Sequence, residues 1–212
     1  MHRRDVLRSA ALASMAAAVL AVPLVNAPRG GAPELDIEAL LFDPQAPTGG
    51  NPKGDVTIVA FFDYNCGYCR KSAPALARLI SEDRGIRIVY KDWPILAESS
   101  VVAAQLALAA NYQGKYTLAH TTLMGLKGSL TAERMSAALE KAGIDRKRLA
   151  ADLGSHAHEI GDLLKRNNEL AQALGLPGTP VYLVGPYKVA AALDYQGFRD
   201  VVADARARAK DK

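Results

Sequence analysis

The two cysteines of this chain of 212 residues lie together in one motif, Cys66-Gly67-Tyr68-Cys69. The β-branched and aromatic run at 56–62, shortly before the motif, predicts a strand that is buried on both faces. A helix is predicted from the first cysteine to Glu82, so the motif falls where a strand gives way to a helix. A fold that buries this strand must therefore present both thiols at the carboxyl end of the strand, where the helix begins.

The position of the motif gives its two thiols different roles. Unpaired backbone N–H groups and the positive end of the helix dipole stabilise a thiolate at a helix N-terminus. Cys66 lies nearest to that end, and we expect it to be the nucleophile and the leaving thiolate. Cys69 lies one turn further into the helix, and we expect it to be the more buried, resolving thiol that attacks a mixed disulfide at Cys66.

Other uses of a cysteine pair fit the sequence less well. A structural disulfide across four residues closes a loop that is too short to restrict the unfolded chain much. A structural zinc site needs two further ligands, and the pair His156 and His158 has a spacing that is atypical of zinc. Transient copper binding by the two thiols stays open. We therefore predict no metal and no cofactor other than the redox-active pair itself.

The remaining pattern predicts an α/β fold with a helical insertion. A second strand at 86–90 completes a strand–helix–strand unit, which implies parallel pairing and a right-handed crossover. A helical block at about 97–174 separates this unit from strands at 181–184 and 188–192 and from a last helix at 195–209. Within the block, helices are predicted at 98–112, 115–126, 132–142, 146–153 and 156–174.

Polar residues and glycines mark the ends of these helices. N-caps are predicted at Thr131, Asp145, Ser155 and Asp194. Helix ends are predicted at Gly143, Gly154 and Gly175. Pro74 falls inside the helix that carries the motif, where a proline is expected to kink it.

Residues 1–27 have the layout of a secretory signal peptide, with a basic start, an uncharged alanine-rich run and small residues at the end. The pair Arg3-Arg4 fits either a twin-arginine leader or an ordinary basic region. Cleavage is expected after Ala27 or after Ala21, and an uncleaved anchor is a third possibility. Residues 28–54, with five prolines and five glycines interrupted by a short helical stretch at about 34–41, predict a flexible lead-in to one domain at 55–212.

The net charge excludes one class of partner. The chain has a formal net charge of +4, and the leader carries three arginines and one aspartate, so the charge falls to +2 without it. No basic stripe remains that would indicate nucleic-acid binding. We therefore predict an exported protein that does not bind nucleic acid.

Three segments resemble one known family: FFDYNCGYC at 61–69, YKDWPIL at 90–96 and LPGTP at 176–180. Together with the proline in the helix, they are similar to the DsbA-like thiol–disulfide oxidoreductases, over about residues 37–209. The resemblance implies a thioredoxin fold with an inserted helical subdomain, located in the periplasm. It also implies a cis bond before Pro180, which would face the sulfur of Cys66, while the backbone of Thr179 would pair with an extended substrate segment.

One position departs from the family pattern. Members commonly carry a buried acid six residues before the first cysteine, and this chain has Ala60 there. Asp63 or a water molecule is the candidate to replace that acid in tuning the cysteine pair. Alternatively, Asp63 is only a polar residue at the end of a strand. Lys91 is predicted either to partner a buried charge or to lie in solvent. Trp93 is expected in the core or in the wall of a groove.

Redox poise sets the direction of the reaction and distinguishes oxidase, isomerase and reductase. Gly67, Tyr68 and Thr179 look like residues of isomerases, but the lead-in is too short for the dimerisation domain that such isomerases carry. We favour a dithiol oxidase that acts on exported cysteine-containing proteins, with an isomerase or reductase as the alternative. The resemblance implies a membrane redox partner, either a quinone-linked reoxidase or a thiol reductant donor. A copper-binding or chaperone module is the alternative of another class.

Overall fold

The computed structural model describes residues 35–211, which form five strands and eight helices. In chain order the elements are α1 (Ile37–Phe42), β1 (Thr48–Gly50), β2 (Val56–Phe62), α2 (Gly67–Glu82), β3 (Ile86–Asp92), α3 (Glu98–Asn111), α4 (Tyr116–Gly125), α5 (Ala132–Lys141), α6 (Arg146–Ser155), α7 (Ala157–Ala173), β4 (Val181–Val184), β5 (Tyr187–Val189) and α8 (Tyr195–Lys210). No helix in this range is long and apolar enough to cross a membrane. The predicted leader at 1–27 lies outside the described residues.

The five strands form one mixed sheet in the order β1-β3-β2-β4-β5. β2 and β3 pair in parallel, with Val56 opposite Ile86 and Phe62 opposite Asp92, and α2 connects them. The other pairings are antiparallel. β2 is apolar and buried along nearly its whole length, as expected for a central strand that is covered on both faces. The strand–helix–strand unit predicted from the sequence is confirmed.

The helices α3 to α7 are inserted between β3 and β4, as predicted. The predicted N-caps that accept a backbone hydrogen bond are Thr131, Asp145 and Asp194. The N-cap predicted at Ser155 and the helix end predicted at Gly154 are wrong, because α6 continues through both residues. His156 alone joins α6 to α7, and its ring stacks on that of Tyr112 with the centroids 3.7 Å apart. A contact between distant residues therefore sets this junction.

The described part of the predicted lead-in is not a flexible linker. It forms α1, which overlaps the helical stretch predicted at about 34–41 and whose N-cap Asp36 accepts a hydrogen bond from the backbone of Ala39. It also forms β1, which pairs with β3 at one edge of the sheet and was not predicted. Gly50 has a φ of 69°, and a Cβ there would collide with the carbonyl oxygen of Ile86. The glycines of this segment therefore permit a close approach of two strands, whereas the sequence prediction interpreted them as flexibility.

β3 extends two residues beyond its predicted end, to Asp92, and Lys91 within this extension is fully buried. The Nζ of Lys91 donates a hydrogen bond to the carbonyl oxygen of Ala39 in α1 at 2.8 Å. Burial lowers the pKa of Lys91 to about 8, although the charge of Asp43 opposes this effect. Lys91 is therefore not in solvent and instead joins α1 to the sheet. Trp93 is buried in the core, as predicted.

Candidate active site

Cys66 is the N-cap of α2, so its sulfur lies at the start of a helix of 16 residues. The Cys66 Sγ accepts a hydrogen bond from the backbone N–H of Cys69 at 3.3 Å. Both cysteines are thiols in this structure. A sulfur in the N-cap position interacts with the same N–H groups and the same dipole that stabilise an anion there. This geometry suits a thiolate at Cys66.

The carbonyl oxygen of Thr179 lies against Cys66. The Cys66 thiol donates a hydrogen bond to it at 3.2 Å, across 113 positions of the chain. The register of the sheet explains this contact, because Phe61 of β2 pairs with Val181 of β4, and the chain leaving β2 passes the chain that enters β4. The Thr179–Pro180 peptide bond is cis. The structure thus brings the first cysteine of the motif together with both residues predicted to bind substrate.

Cys69 lies further inside than Cys66, with an exposed fraction of 2% against 5%. Burial raises the pKa of the Cys69 thiol well above its ordinary value, and the hydrogen bond with Cys66 raises it further. Contacts with the backbone of Asp63 and the side chain of Thr179 offset part of this rise. A buried thiol of this kind reacts with a neighbouring sulfur and not with bulk reagents, which fits the resolving role.

Asp63 is buried directly after β2, and its carboxylate accepts four hydrogen bonds. Oδ1 accepts from the backbone N–H of Asn65 at 2.6 Å and from the hydroxyl of Ser100 at 2.7 Å. Oδ2 accepts from the backbone N–H groups of Ile95 and Leu96, at 2.8 and 3.0 Å. These donors occupy the lone pairs of the carboxylate. The side chain therefore holds the loop before the motif against the loop that follows β3.

Two residues that the sequence prediction did not single out also hold the motif in place. Asn65 donates from Nδ2 to two serine hydroxyls at the start of α3, at 2.9 and 2.8 Å. Arg70 donates from Nε to the carbonyl oxygen of Tyr64 at 2.7 Å and from Nη1 to that of Leu126 at 2.6 Å. The serines and Leu126 lie 34 to 56 positions further along the chain, so no local pattern indicates these contacts.

A cavity of about 480 Å³ lies beside the motif. Its lining includes Tyr68, Lys71 and the segments 177–180 and 190–192. Tyr68 is 70% exposed. A Cβ at Gly67 would meet nothing within 4 Å, so packing does not demand a glycine there. The two middle residues of the motif therefore lie at the surface, and Tyr68 borders a groove that leads to Thr179.

A second buried carboxyl group, Asp92, lies at the end of β3 among aromatic residues. Tyr116 donates a hydrogen bond to its Oδ2 at 2.6 Å, while Oδ1 has no partner among residues 35–211. Burial raises the pKa of Asp92 to about 7. The hydroxyl of Tyr64 pairs with Nδ1 of His120 at 3.3 Å, and burial lowers the pKa of His120 to about 3. The sequence prediction missed this cluster, because its members come from β3, the motif loop and α4.

Solved structures of thioredoxin-like oxidoreductases are similar to this one. A thioredoxin-like oxidoreductase from Silicibacter pomeroyi DSS-3 has 40% sequence identity and a TM-score of 0.76, over 81% of this chain and 98% of that chain. The thiol-disulfide exchange protein alpha-DsbA2 from Wolbachia pipientis has 28% identity and a TM-score of 0.75, over 79% of this chain and 90% of that chain. Both similarities extend over most of the chain, so they include the inserted helices as well as the sheet.

A curated relative shares only part of its own length with this chain. The Na(+)/H(+) antiporter NhaA 1 from Salinispora arenicola is 26% identical over 137 residues, and this chain spans about a fifth of the antiporter's length. The family model of the DSBA-like thioredoxin domain matches residues 57–203, a range that contains both cysteines, Thr179 and Pro180. The chain therefore belongs to the family of DSBA-like thioredoxin domains.

Proposed function

We propose that this chain is a periplasmic oxidase that introduces disulfides into exported proteins through Cys66 and Cys69. The observation that carries the proposal is the position of the Cys66 sulfur, at the N-cap of α2 and 3.2 Å from the carbonyl oxygen of Thr179. A helix N-terminus stabilises a thiolate and thereby the reduced protein, which makes the disulfide form an oxidant. The signal-peptide pattern at 1–27 supports the exported location.

The exchange proceeds in two steps that pass two electrons from the substrate to the cysteine pair. A substrate thiolate attacks the Sγ of Cys66 in the Cys66–Cys69 disulfide, so that a mixed disulfide forms and Cys69 leaves and takes up a proton. A second substrate thiolate then attacks the substrate sulfur of the mixed disulfide. Cys66 leaves as a thiolate, which the backbone N–H of Cys69 can hold. The substrate gains a disulfide, and the pair ends with both cysteines reduced.

Thr179 and Pro180 form the part of the site that a substrate segment would contact. They lie with Tyr68 and Lys71 along the cavity of about 480 Å³. An extended peptide in this cavity would run past Cys66 with its backbone next to that of Thr179, in the manner of strand addition. Glycine, proline and alanine make up much of the lining, so the cavity favours a peptide backbone over any particular side chain. This suits an enzyme that acts on many exported proteins.

The oxidase must be reoxidised after each turnover, because the two electrons of the substrate remain on the cysteine pair. We assign this step to a membrane redox partner, a quinone-linked reoxidase. A thiol reductant donor in its place would keep the pair reduced, and the same site would then act as an isomerase or reductase. The two directions differ in the redox potential of the pair and not in its geometry.

The redox potential of the pair against glutathione tests the proposal. We expect a value well above the potential of thioredoxin, about −270 mV, and a value close to that one would contradict the oxidase direction. Cys66→Ser should abolish exchange with a dithiol peptide. Cys69→Ser, the same substitution one turn away, should instead trap a mixed disulfide at Cys66 when it is mixed with oxidised glutathione, which supplies the disulfide bond that Cys66 attacks, and mass spectrometry detects the product. Exchange that persists in Cys66→Ser would refute the assignment of the nucleophile.

A further inference from the structure

Cys69 must react as a thiolate, although burial raises the pKa of its thiol. Within the protein, a mixed disulfide at Cys66 is resolved when the Cys69 sulfur attacks it, which is the reverse of the oxidase step in which Cys69 leaves. A buried thiolate needs hydrogen-bond donors around it. The carboxylate of Asp63 cannot supply them, because it is an acceptor that four donors already occupy, and Asp63 reaches Cys69 through its backbone. Other groups must therefore surround the sulfur.

The register of the sheet places a tyrosine on each side of Ala60. Ala60 of β2 pairs with Tyr90 of β3 and with Tyr182 of β4. Paired residues on neighbouring strands have their side chains on the same face of a sheet, so a methyl group lies between two tyrosine side chains. Both tyrosines are buried. This row lies on the face of the sheet that α2 covers, because Tyr90 lines a cavity together with Leu76 of α2.

The two tyrosines face different polar groups. Burial raises the pKa of Tyr182, and the charges of Cys69 and Cys66 raise it further. Burial and the charge of Asp92 raise the pKa of Tyr90 to about 12. Tyr182 is thus the member of the row that belongs to the redox site, and Tyr90 belongs to the cluster around Asp92.

Two further hydroxyls lie near Cys69. Ser72, one turn later in α2, is fully buried and interacts with the Tyr182 hydroxyl, while the side chain of Thr179 contacts the Cys69 thiol. Neither Ser72 Oγ nor Thr179 Oγ1 makes a hydrogen bond of standard geometry with any of residues 35–211. Buried hydroxyls that lack a hydrogen bond of standard geometry are costly and uncommon. A thiolate at Cys69 would give them an acceptor.

From these contacts we infer that Ser72, Thr179 and Tyr182 form a hydroxyl cradle that stabilises the thiolate of Cys69 while it resolves a mixed disulfide. The inference rests on the proposed exchange function, and it makes Ser72, Thr179 and Tyr182 catalytic residues, because their hydroxyls would donate to the reacting sulfur. In this step the Cys69 sulfur bonds to the Cys66 sulfur, and the bond between Cys66 and the substrate sulfur breaks. The substrate leaves as a thiolate and takes up the proton that Cys69 loses, so the step needs no further oxidant or reductant.

The rate at which a mixed disulfide is resolved tests the cradle. Reduced protein is mixed with oxidised glutathione, and acid quenching with mass spectrometry follows the mixed disulfide at Cys66 and its conversion to the Cys66–Cys69 bond across a range of pH. We expect Tyr182→Phe to slow this conversion about tenfold, a typical loss for a hydrogen bond to a charged group, and to shift its pH dependence to higher pH. Formation of the mixed disulfide at Cys66 should be slowed much less, because the charge of Cys69 acts on Tyr182 more strongly than that of Cys66. Ser72→Ala should slow the conversion less.

Tyr90→Phe is the matched control, because it removes the same hydroxyl from the same row on the side of Asp92. Its conversion rate should equal that of the wild-type protein. Equal slowing by both phenylalanine variants would indicate a packing effect and overturn the cradle, as would an unchanged rate in Tyr182→Phe. Failure of the wild-type protein to form any mixed disulfide would instead refute the proposed function itself.

Discussion

Two buried carboxylates at the ends of neighbouring strands differ in the number of hydrogen bonds that they accept. Asp63 follows Phe62 at the end of β2, and Asp92, the partner of Phe62, ends β3. Each is 1% exposed. Asp63 accepts four hydrogen bonds. Asp92 accepts one of standard geometry from Tyr116, and its Oδ1 has no partner in the described part of the chain.

The two groups differ in the number of hydrogen bonds that they accept. Burial disfavours the charged form of a carboxyl group, and hydrogen bonds donated to the carboxylate offset this effect. With few donors, the pKa of Asp92 is raised to about 7. Asp63 uses its donors to join the motif loop, the loop after β3 and α3. One carboxylate therefore supports the position of the thiols, while the other can change its charge near neutral pH.

Among the substitutions that test this comparison, Asp63→Asn is expected to destabilise the fold most. The amide brings an NH₂ group against N–H groups that now have an acceptor, so buried donors lose their partner and the charge is removed. We expect the free energy of unfolding to fall by about 3 kcal/mol, measured by urea denaturation at pH 7. Asp145→Asn at the N-cap of α6 is the control, because asparagine caps a helix as well as aspartate does. Equal losses in the two variants would show that the four hydrogen bonds do not stabilise the fold.

A second effect, which depends on pH, is expected from Asp92→Asn. The pKa of Asp92 lies at about 7 in the folded protein and at 3.8 ordinarily, so the folded state binds the proton more tightly. The free energy of unfolding therefore falls as pH rises from about 4 to 7, by at most about 1.4 kcal/mol per pH unit. Asparagine has no such proton and keeps an acceptor for Tyr116. Over this range the variant should gain stability relative to the wild-type protein, as measured by urea denaturation at several pH values.

The difference in stability between the wild-type protein and Asp92→Asn reports on Asp92 alone. His120, whose pKa burial lowers to about 3, is present in both proteins and cancels. Asp43→Asn is the control. Burial alone would raise the pKa of Asp43, but the hydrogen bonds from Arg166 and from the backbone of Gln45, together with the charges of Arg166 and Lys91, outweigh it and hold the pKa below 3.8. Its contribution to stability is therefore lost only at lower pH, and its difference from wild type should be constant above about pH 5. A constant difference for Asp92→Asn as well would show that Asp92 takes up no proton in the folded state.

The smallest effect is expected from Ser100→Ala, which removes one of the four donors to Asp63 and leaves the other three. We expect the free energy of unfolding to fall by about 1 kcal/mol. Ser99→Ala is the control, because the Ser99 hydroxyl accepts a hydrogen bond from Asn65, as that of Ser100 does, but donates none to Asp63. Equal losses in chemical denaturation would assign the effect to the contact with Asn65 and not to the carboxylate.

Sequence prediction succeeds for elements that depend on neighbours along the chain. β2, α2 and the position of Cys66 between them follow from patterns that need no distant partner. β1 is not predictable in this way, because the three residues Thr48–Gly50 have no apolar alternation and form a strand only by pairing with β3. The junction at His156 is a second example, since stacking on Tyr112 sets it.

The residues around the thiols also depend on partners that are distant along the chain, which sequence patterns do not predict. The sequence indicates Asp63 as a candidate, but three of its four donors come from 32 to 37 positions further along the chain. Its role in holding the loop therefore follows from packing and not from its place before the motif. From the sequence, Tyr182 is predicted only to be part of a strand. Its position next to Ala60 and near the cysteines depends on the pairing of β2 with β4.

The sequence by itself determined the thiol chemistry, because the end of a strand followed by the start of a helix puts Cys66 next to unpaired N–H groups within one turn of the chain. The tertiary structure alone decided what surrounds the two sulfurs. The Thr179 carbonyl lies 3.2 Å from the Cys66 sulfur, and the charges of both cysteines raise the pKa of the buried Tyr182. Such contacts join residues more than a hundred positions apart, so they exist only once the register of the whole sheet is set.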